Sequence, residues 1–338
     1  MRRQVRRQVR PGEEYWSKCW AKWERERRAL DLRAGCKVDD CERSDLSNKS
    51  TTRLLAMALP QLQGTLFKYS NKSSCNVAFR YGSIENKKHA IVIGGLTDGL
   101  FACSYVSSLS NVLDQRGVSV VQTLLSSSYY QYGISSLDMD ARELTDLAAY
   151  LRSEFGGTDY CLIGHSTGCQ DCVRYCLRNS ENKPSCVVLQ APVSDRESLD
   201  LHGSTYRNLQ KAQDMATKGE ENELMPISTQ EDGAPITAKR YLSLASKYGD
   251  DDMFSSDFTD EELKKLLSHM SPTPTLVLQS GSDEYIPKSV DPELNAARLA
   301  KAMGPNAEHY TIPGGSHALE NHTKEAVELI SNFVCKHL

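Results

Sequence analysis

The chain has 338 residues, of which 39% are hydrophobic and 25% charged, enough for one large α/β domain or two ordinary domains with a sizeable core. Its formal net charge of −4 argues against nucleic acid as the main partner. No apolar stretch approaches the ~20 residues that span a bilayer, so we expect no stable insertion into a membrane.

The first 58 residues differ from the rest. Residues 1–33 carry eleven Lys/Arg and five Asp/Glu, and Trp16, Trp20 and Trp23 recur at the spacing of one helix face. This pattern predicts a basic amphipathic helix that binds a membrane surface or a partner. The alternative, which is favoured, is a helix that packs its aromatic face on the body or a poorly ordered arm. We expect a basic extension over 1–58, helical or disordered, and a folded domain over 59–338.

The start of the chain is rich in arginine but lacks the hydrophobic region of a secretory signal. The cysteine count is odd, at eleven, and several cysteines stand where core residues are expected. Reduced thiols and a cytoplasmic location fit these features, with organelle targeting left open. The spacing Cys169-x-x-Cys172 also permits a metal site, but no second pair stands at a zinc-like spacing, so we expect packing residues and no metal.

From residue 59, short apolar runs alternate with helical patterns. Gly64–Tyr69 and Val77–Tyr81 are close enough to form a hairpin. Continuous apolar runs, typical of strands buried on both faces of a parallel sheet, follow from His89 and over Val118–Leu125, Tyr160–Gly164, Cys186–Gln190, Thr275–Gln279 and Glu308–Ile312. A mostly parallel sheet flanked by helices is therefore predicted.

Helices are predicted between these strands, for example over Asp138–Phe155 and after the capping box that Thr259 and Glu262 would form. The region 196–272 is long, charged and helical, with no convincing buried strand. An insertion of that length after the carboxyl end of a strand is expected to form a helical cap over an active site.

Gly164-His-Ser166-Thr-Gly168 matches G-x-S-x-G. The match alone is weak, but a predicted strand precedes it and a plausible helix follows, as a nucleophile elbow requires. A serine hydroxyl needs a base and an orienting carboxylate, which in this arrangement follow in the order acid, then histidine. Asp283 and His317 both follow predicted strands in that order, although Asp195 also ends a strand and competes with Asp283.

An oxyanion hole needs two backbone N–H groups aimed at the same oxygen. One candidate is Thr167, directly after the nucleophile. The other is Leu96, in the glycine-rich loop after the strand that begins at His89. That loop lacks the lysine and the glycine spacing of a phosphate-binding turn.

At this point the chain resembles a known family, the largely uncharacterised plant and fungal α/β-hydrolases that include fungal siderophore esterases. The runs that carry the resemblance begin at Leu59, Gly94, Gly164, Gln190, Ala234, Gly249 and Asp283, and together they span about 59–338. The resemblance implies the α/β-hydrolase fold and the roles of nucleophile for Ser166, acid for Asp283 and base for His317. It does not imply a siderophore substrate.

The acidic run Asp250–Asp252 suggests a site for a cationic group or a metal, or else a solvated loop, which is favoured. The sequence as a whole predicts a serine hydrolase that cleaves a small-molecule ester without a cofactor. The alternative is a ligand-binding or scaffold protein that keeps the fold but not the activity. The sequence does not predict the oligomeric state.

Overall fold

A computed structural model describes residues 61–179, 181–201, 205–226 and 233–338, and all structural statements below concern these residues. The predicted basic helix with Trp16, Trp20 and Trp23 lies outside them.

The centre of the fold is one eight-stranded sheet, in the order β1-β2-β4-β3-β5-β6-β7-β8. The first two strands form the predicted hairpin, and β2 also pairs antiparallel with β4, whereas all the other pairings are parallel. The strands are β1 (Thr65–Lys68), β2 (Val77–Tyr81), β3 (Lys88–Ile93), β4 (Val118–Thr123), β5 (Asp159–His165), β6 (Cys186–Gln190), β7 (Thr275–Ser280) and β8 (Ala307–Ile312).

The helices that the structure describes are α1 (Val106–Asp114), α2 (Leu137–Phe155), α3 (Gly168–Arg178), α4 (Asp195–Asp200), α5 (Thr205–Thr217), α6 (Ala238–Ala245), α7 (Asp260–Leu267), α8 (Pro292–Met303) and α9 (Thr323–His337). The bounds of α2 follow from its ends. The Ser136 side chain accepts a hydrogen bond from the Met139 N–H, and Gly156 adopts the left-handed conformation that ends helices.

The helices cover both faces of the sheet. Alternate residues of the central strands point to opposite sides, so Leu162 joins a core with α2, α3, α7 and α8, while Cys161 and Ile163 join a core with α1 and α9. This is the α/β-hydrolase fold, and the predicted mostly parallel sheet is confirmed.

The helical insertion expected at about 196–272 packs in two parts. Residues between Ala212 and Ala245 form a separate hydrophobic cluster with Tyr132. Residues between Met253 and Met270, by contrast, belong to the core of α2 and α3. The first part therefore has a hydrophobic cluster of its own, whereas α7, which begins with the expected Thr259–Glu262 capping box, packs in the core of α2 and α3.

The favoured interpretation of the acidic run, a solvated loop, is wrong for two of its three residues. Asp251 is fully buried and accepts hydrogen bonds from Arg240 Nη1 at 2.5 Å and Ser243 Oγ at 2.6 Å. Asp252 is also buried and pairs with Arg196 Nε at 3.1 Å. Each carboxylate is buried because it has an arginine partner, which offsets the cost of removing the charge from water.

The eight cysteines of the described ranges carry free thiols, and Cys169, Cys172 and Cys176 pack in the core around α3. Within the same ranges, no three His, Cys, Asp or Glu side chains are grouped as metal ligands would be. None of the helices described is long and apolar enough to cross a membrane.

Candidate active site

Ser166 occupies a strained turn between β5 and α3. Its φ angle is +55°, a left-handed conformation that is energetically unfavourable for a residue other than glycine. Residues in such strained conformations are often found at functional sites. The turn is held from the neighbouring strand, because the Ser166 N–H donates to the carbonyl oxygen of Gln190 at 3.0 Å. Strand, strained serine and helix thus follow one another as a nucleophile elbow requires.

Two glycines let other backbone approach this turn. A Cβ atom on Gly168 would lie 2.5 Å from the carbonyl oxygen of Ile93, at the end of β3. A Cβ atom on Gly95 would lie 2.6 Å from Ser166 Cβ and 3.1 Å from Ser166 Oγ. The loop after β3 therefore lies directly against the serine, and any side chain at these positions would push the two apart.

His317 and Asp283 meet although 34 residues separate them in the sequence. His317 Nδ1 lies 2.8 Å from Asp283 Oδ2, and both side chains are buried. Since a carboxylate only accepts hydrogen bonds, Nδ1 is the donor, and in the neutral imidazole Nε2 therefore carries the lone pair. The other carboxylate oxygen of Asp283 accepts the Tyr285 N–H at 3.0 Å, which fixes the orientation of the acid.

Two residues that sequence reasoning did not single out also hold His317. The imidazole makes an edge contact with the Tyr285 ring, at 4.6 Å between centroids, and the His317 N–H donates to Glu284 Oε2 at 2.9 Å. Both residues directly follow Asp283, in a run that contributes to the family resemblance. Their position next to Asp283 was the feature of the sequence that could have identified them.

His165, which precedes the serine, is a buried neighbour of His317. The two imidazole rings lie 4.8 Å apart at an angle of 52°. Burial, together with the charge that His317 can carry, lowers the pKa of His165 to about 3. His165 is therefore neutral at physiological pH and adds no positive charge beside the candidate base.

Asp195 lies on the serine side of the site and is not hydrogen-bonded to His317. Its carboxyl oxygens accept hydrogen bonds from Thr167 Oγ1 at 3.3 Å and Gln170 Nε2 at 2.7 Å. Burial, and next the nearby charge of Asp251, raise the pKa of Asp195 to about 7. The structure thus brings Asp283 to the histidine and places Asp195 behind Thr167.

These residues open into one cavity of about 850 Å³. Ser166, His317 and both oxyanion candidates, Leu96 and Thr167, line it. Thr167 directly precedes α3, where backbone N–H groups and the helix dipole favour negative charge. The opposite wall comes from the insertion and is largely apolar, with Leu199, Ala234, Ile236, Tyr241 and Leu244. The volume is suited to a small organic molecule.

Comparison with known proteins identifies the family to which the chain belongs. Residues 57–338 match the model of a family described as protein of unknown function (DUF1749). The chain is 30% identical to the fusarinine C esterase sidJ of Aspergillus fumigatus over 77% of this chain and 90% of that protein. It is 29% identical to the esterase AN6793 of Emericella nidulans over 76% of this chain and 87% of that protein.

Among solved structures, the siderophore hydrolase EstB of Aspergillus fumigatus superimposes with a TM-score of 0.67 at 26% identity. The match covers 82% of this chain and 97% of that one. The resemblance stated from the sequence motifs is thereby confirmed. The chain belongs to the DUF1749 family and is a carboxylic-ester hydrolase with the α/β-hydrolase fold.

Proposed function

We propose that the chain cleaves small-molecule carboxylic esters by a serine mechanism, with Ser166 as nucleophile, His317 as base and Asp283 as the orienting acid. The observation that carries the proposal is the 2.8 Å contact between His317 Nδ1 and Asp283 Oδ2, because His317 lines the same cavity as the strained Ser166. This contact leaves the Nε2 lone pair of His317 as the acceptor for the serine proton.

The chemistry proceeds in two halves. In the first, Ser166 Oγ bonds to the ester carbonyl carbon, His317 takes the hydroxyl proton, and the carbonyl oxygen becomes an oxyanion held by the Leu96 and Thr167 amides. Collapse of this intermediate breaks the ester bond, and His317 returns the proton to the leaving alcohol. In the second half, water attacks the acyl-serine with His317 again as base, which releases the acid and restores Ser166.

The size and the wall of the cavity indicate the class of substrate. A volume of about 850 Å³ with a largely apolar wall from the insertion fits a neutral or partly apolar ester. By their names, sidJ acts on fusarinine C and EstB on a siderophore, and the Glu284 and Glu320 side of the cavity has room for an ester that also carries polar groups.

The test is turnover of p-nitrophenyl esters of graded chain length by the full chain and by Ser166→Ala. We expect the parent to hydrolyse at least one ester, and the variant to lose on the order of 10⁴ or more in kcat. Ser153→Ala is the control, since Ser153 is exposed on α2 and its hydroxyl bonds only locally. Normal turnover by Ser166→Ala would contradict the mechanism, and an inactive parent would favour the ligand-binding alternative.

A further inference from the structure

One buried residue contacts both sides of the candidate site. Gln190 is the last residue of β6 and has no exposed surface. It lies opposite His165 in the parallel pairing of β5 with β6, and its backbone carbonyl accepts the Ser166 N–H at 3.0 Å. The main chain of Gln190 therefore already belongs to the serine turn.

The side chain of Gln190 reaches the other side. Its Nε2 donates to the carbonyl oxygen of His317 at 2.9 Å, and this carbonyl also accepts from Ser280 Oγ at 3.3 Å. Its Oε1 lies 2.6 Å from His165 Nδ1. Because a carbonyl oxygen only accepts, the amide nitrogen must face His317, and Oε1 must accept a proton carried on His165 Nδ1.

These contacts form a continuous bridge between two loops that are far apart in the sequence. It runs from His165, beside the nucleophile, through the Gln190 amide to the backbone of His317. The Gln190 amide donates through its nitrogen and accepts through its oxygen, so a hydrophobic residue of the same size could fill the space but not make the bridge. Buried hydrogen bonds of this kind fix geometry because an unpaired partner would be costly.

We propose that Gln190 is a positioning residue of this enzyme, which sets the distance between the Ser166 turn and His317 through its backbone carbonyl and its side-chain amide. The inference rests on the proposed serine mechanism. Gln190 does not line the substrate cavity, so it acts on the reacting groups through the residues it holds. A serine mechanism depends on this distance, because His317 must receive the Ser166 proton and then deliver it to the leaving alcohol.

The neighbouring strand supplies a matched control. Gln279 lies on β7 and is also fully buried, but neither its side-chain oxygen nor its nitrogen has a hydrogen-bond partner among the described residues. Gln190→Met and Gln279→Met remove the same amide from the same sheet. They differ in whether that amide connects the two sides of the site.

The experiment compares kcat, KM and the melting temperature of the two methionine variants with those of the parent full chain, on an ester that the parent hydrolyses. We expect Gln190→Met to lose about 10- to 100-fold in kcat with KM within about threefold, since loss of positioning affects the transition state and not the cavity. We expect Gln279→Met to keep kcat within about threefold. Equal kcat values for the two folded variants, or a Gln190→Met effect confined to KM, would overturn the proposal.

A second variant tests the donor directly and also serves if Gln190→Met does not fold. In Gln190→Glu the carboxyl group donates to the His317 carbonyl only while it is protonated, and burial raises the pKa of carboxyl groups. Its kcat/KM, divided by that of the parent at each pH, should therefore fall between pH 6 and pH 9. His165, Tyr105 and Cys103 face the side chain of residue 190, and Asp283, Glu284, Asp98 and Asp195 lie around His317. All of these groups are present in both proteins and largely cancel in the ratio.

A ratio that is the same at all pH values would mean that donation by residue 190 has no part in the reaction, and the proposal would be rejected. The failure of the serine mechanism itself is read separately from Ser166→Ala. If that variant is inactive while Gln190→Met behaves like Gln279→Met, the mechanism stands and only the positioning role is lost.

Discussion

The two sides of the candidate site are held in different ways. On the serine side, Gly95 and Gly168 allow backbone to approach within distances that no Cβ atom would tolerate, so close packing fixes Ser166. On the histidine side, the hydrogen bonds that His317 donates to Asp283 and Glu284, together with the edge contact with Tyr285, fix His317. The serine side should therefore fail when an atom is added, and the histidine side when a polar contact is removed.

The largest effect is expected on the histidine side. Asp283→Asn should lower turnover by a factor on the order of 10⁴. The asparagine amide, unlike the carboxylate, does not hold the imidazole in the tautomer that accepts the serine proton. Asp195→Asn should cost far less, since both oxygens of Asp195 are bonded to Thr167 and Gln170. Steady-state kinetics of the two variants decide the point, and the reverse ranking would move the acid role to Asp195.

A single methyl group tests the serine side. Gly95→Ala places a Cβ atom 2.6 Å from Ser166 Cβ, so the loop after β3 or the serine must move. We expect a loss on the order of 10² in kcat/KM, because a displacement of about 1 Å at the reacting groups has that effect.

Gly117→Ala is the control for Gly95→Ala. Gly117 has a φ of +77°, but no atom lies within 4 Å of the place that an added methyl group would take, so this variant should lose about 1–2 kcal/mol of stability and no activity. If Gly95→Ala retains parental kcat/KM, close packing against Ser166 is not what fixes the nucleophile.

A smaller effect concerns stability on the serine side. The pKa of Asp195 is raised by burial to about 7 in the folded state, above its ordinary value of 3.8. Its contribution to stability is therefore complete below about pH 4 and is lost as the pH rises through about 7, because over this range the unfolded chain ionises the carboxyl while the folded protein holds it protonated. Asparagine has no such proton to lose.

The melting temperature of Asp195→Asn, relative to the parent, should therefore rise between pH 5 and pH 8.5 by about 2 °C or more. Asp140, whose pKa burial also raises to about 7, is present in both proteins, so its contribution largely cancels in the difference. Thermal unfolding at a series of pH values measures this difference in melting temperature. A difference that does not change with pH would show that Asp195 is not protonated in the folded protein.

The smallest effect is expected from removing the predicted extension. Deletion of residues 1–58 should leave kcat/KM within a few-fold, because the described residues that build both sides of the site lie between Ile93 and Glu320. Kinetics on the truncated chain, with circular dichroism to establish folding, test this. Loss of activity in a folded truncation would mean that the extension contributes to the site.

The sequence was most informative where structure depends on neighbouring residues. The strands follow from continuous apolar runs, and Ser166 follows from a motif of five residues between a strand and a helix. Asp283 and His317 were expected because each follows a strand, and the parallel sheet brings the carboxyl ends of such strands to one edge. Because both residues follow strands that end at this edge, they can meet and form a hydrogen bond.

Contacts between distant segments could not be read in this way. The run Asp250–Asp252 suggested a solvated loop because its arginine partners, Arg196 and Arg240, are not adjacent to it. The sequence also did not predict that the insertion packs in two parts, because an apolar helix face has the same sequence pattern whether it covers the sheet or a cavity. Gln190 opens one of the runs that carry the family resemblance, but its contact with a carbonyl group 127 residues away could not be predicted from that run.

The most direct test of the central claim is to label the full chain with a fluorophosphonate and to locate the modified residue by peptide mass spectrometry. We expect one modified site, Ser166, with labelling abolished in Ser166→Ala and slowed in Asp283→Asn, because the probe reacts with a serine whose proton is accepted by a neighbouring base. Modification of another residue in the parent, or undiminished labelling of Ser166→Ala, would contradict the account.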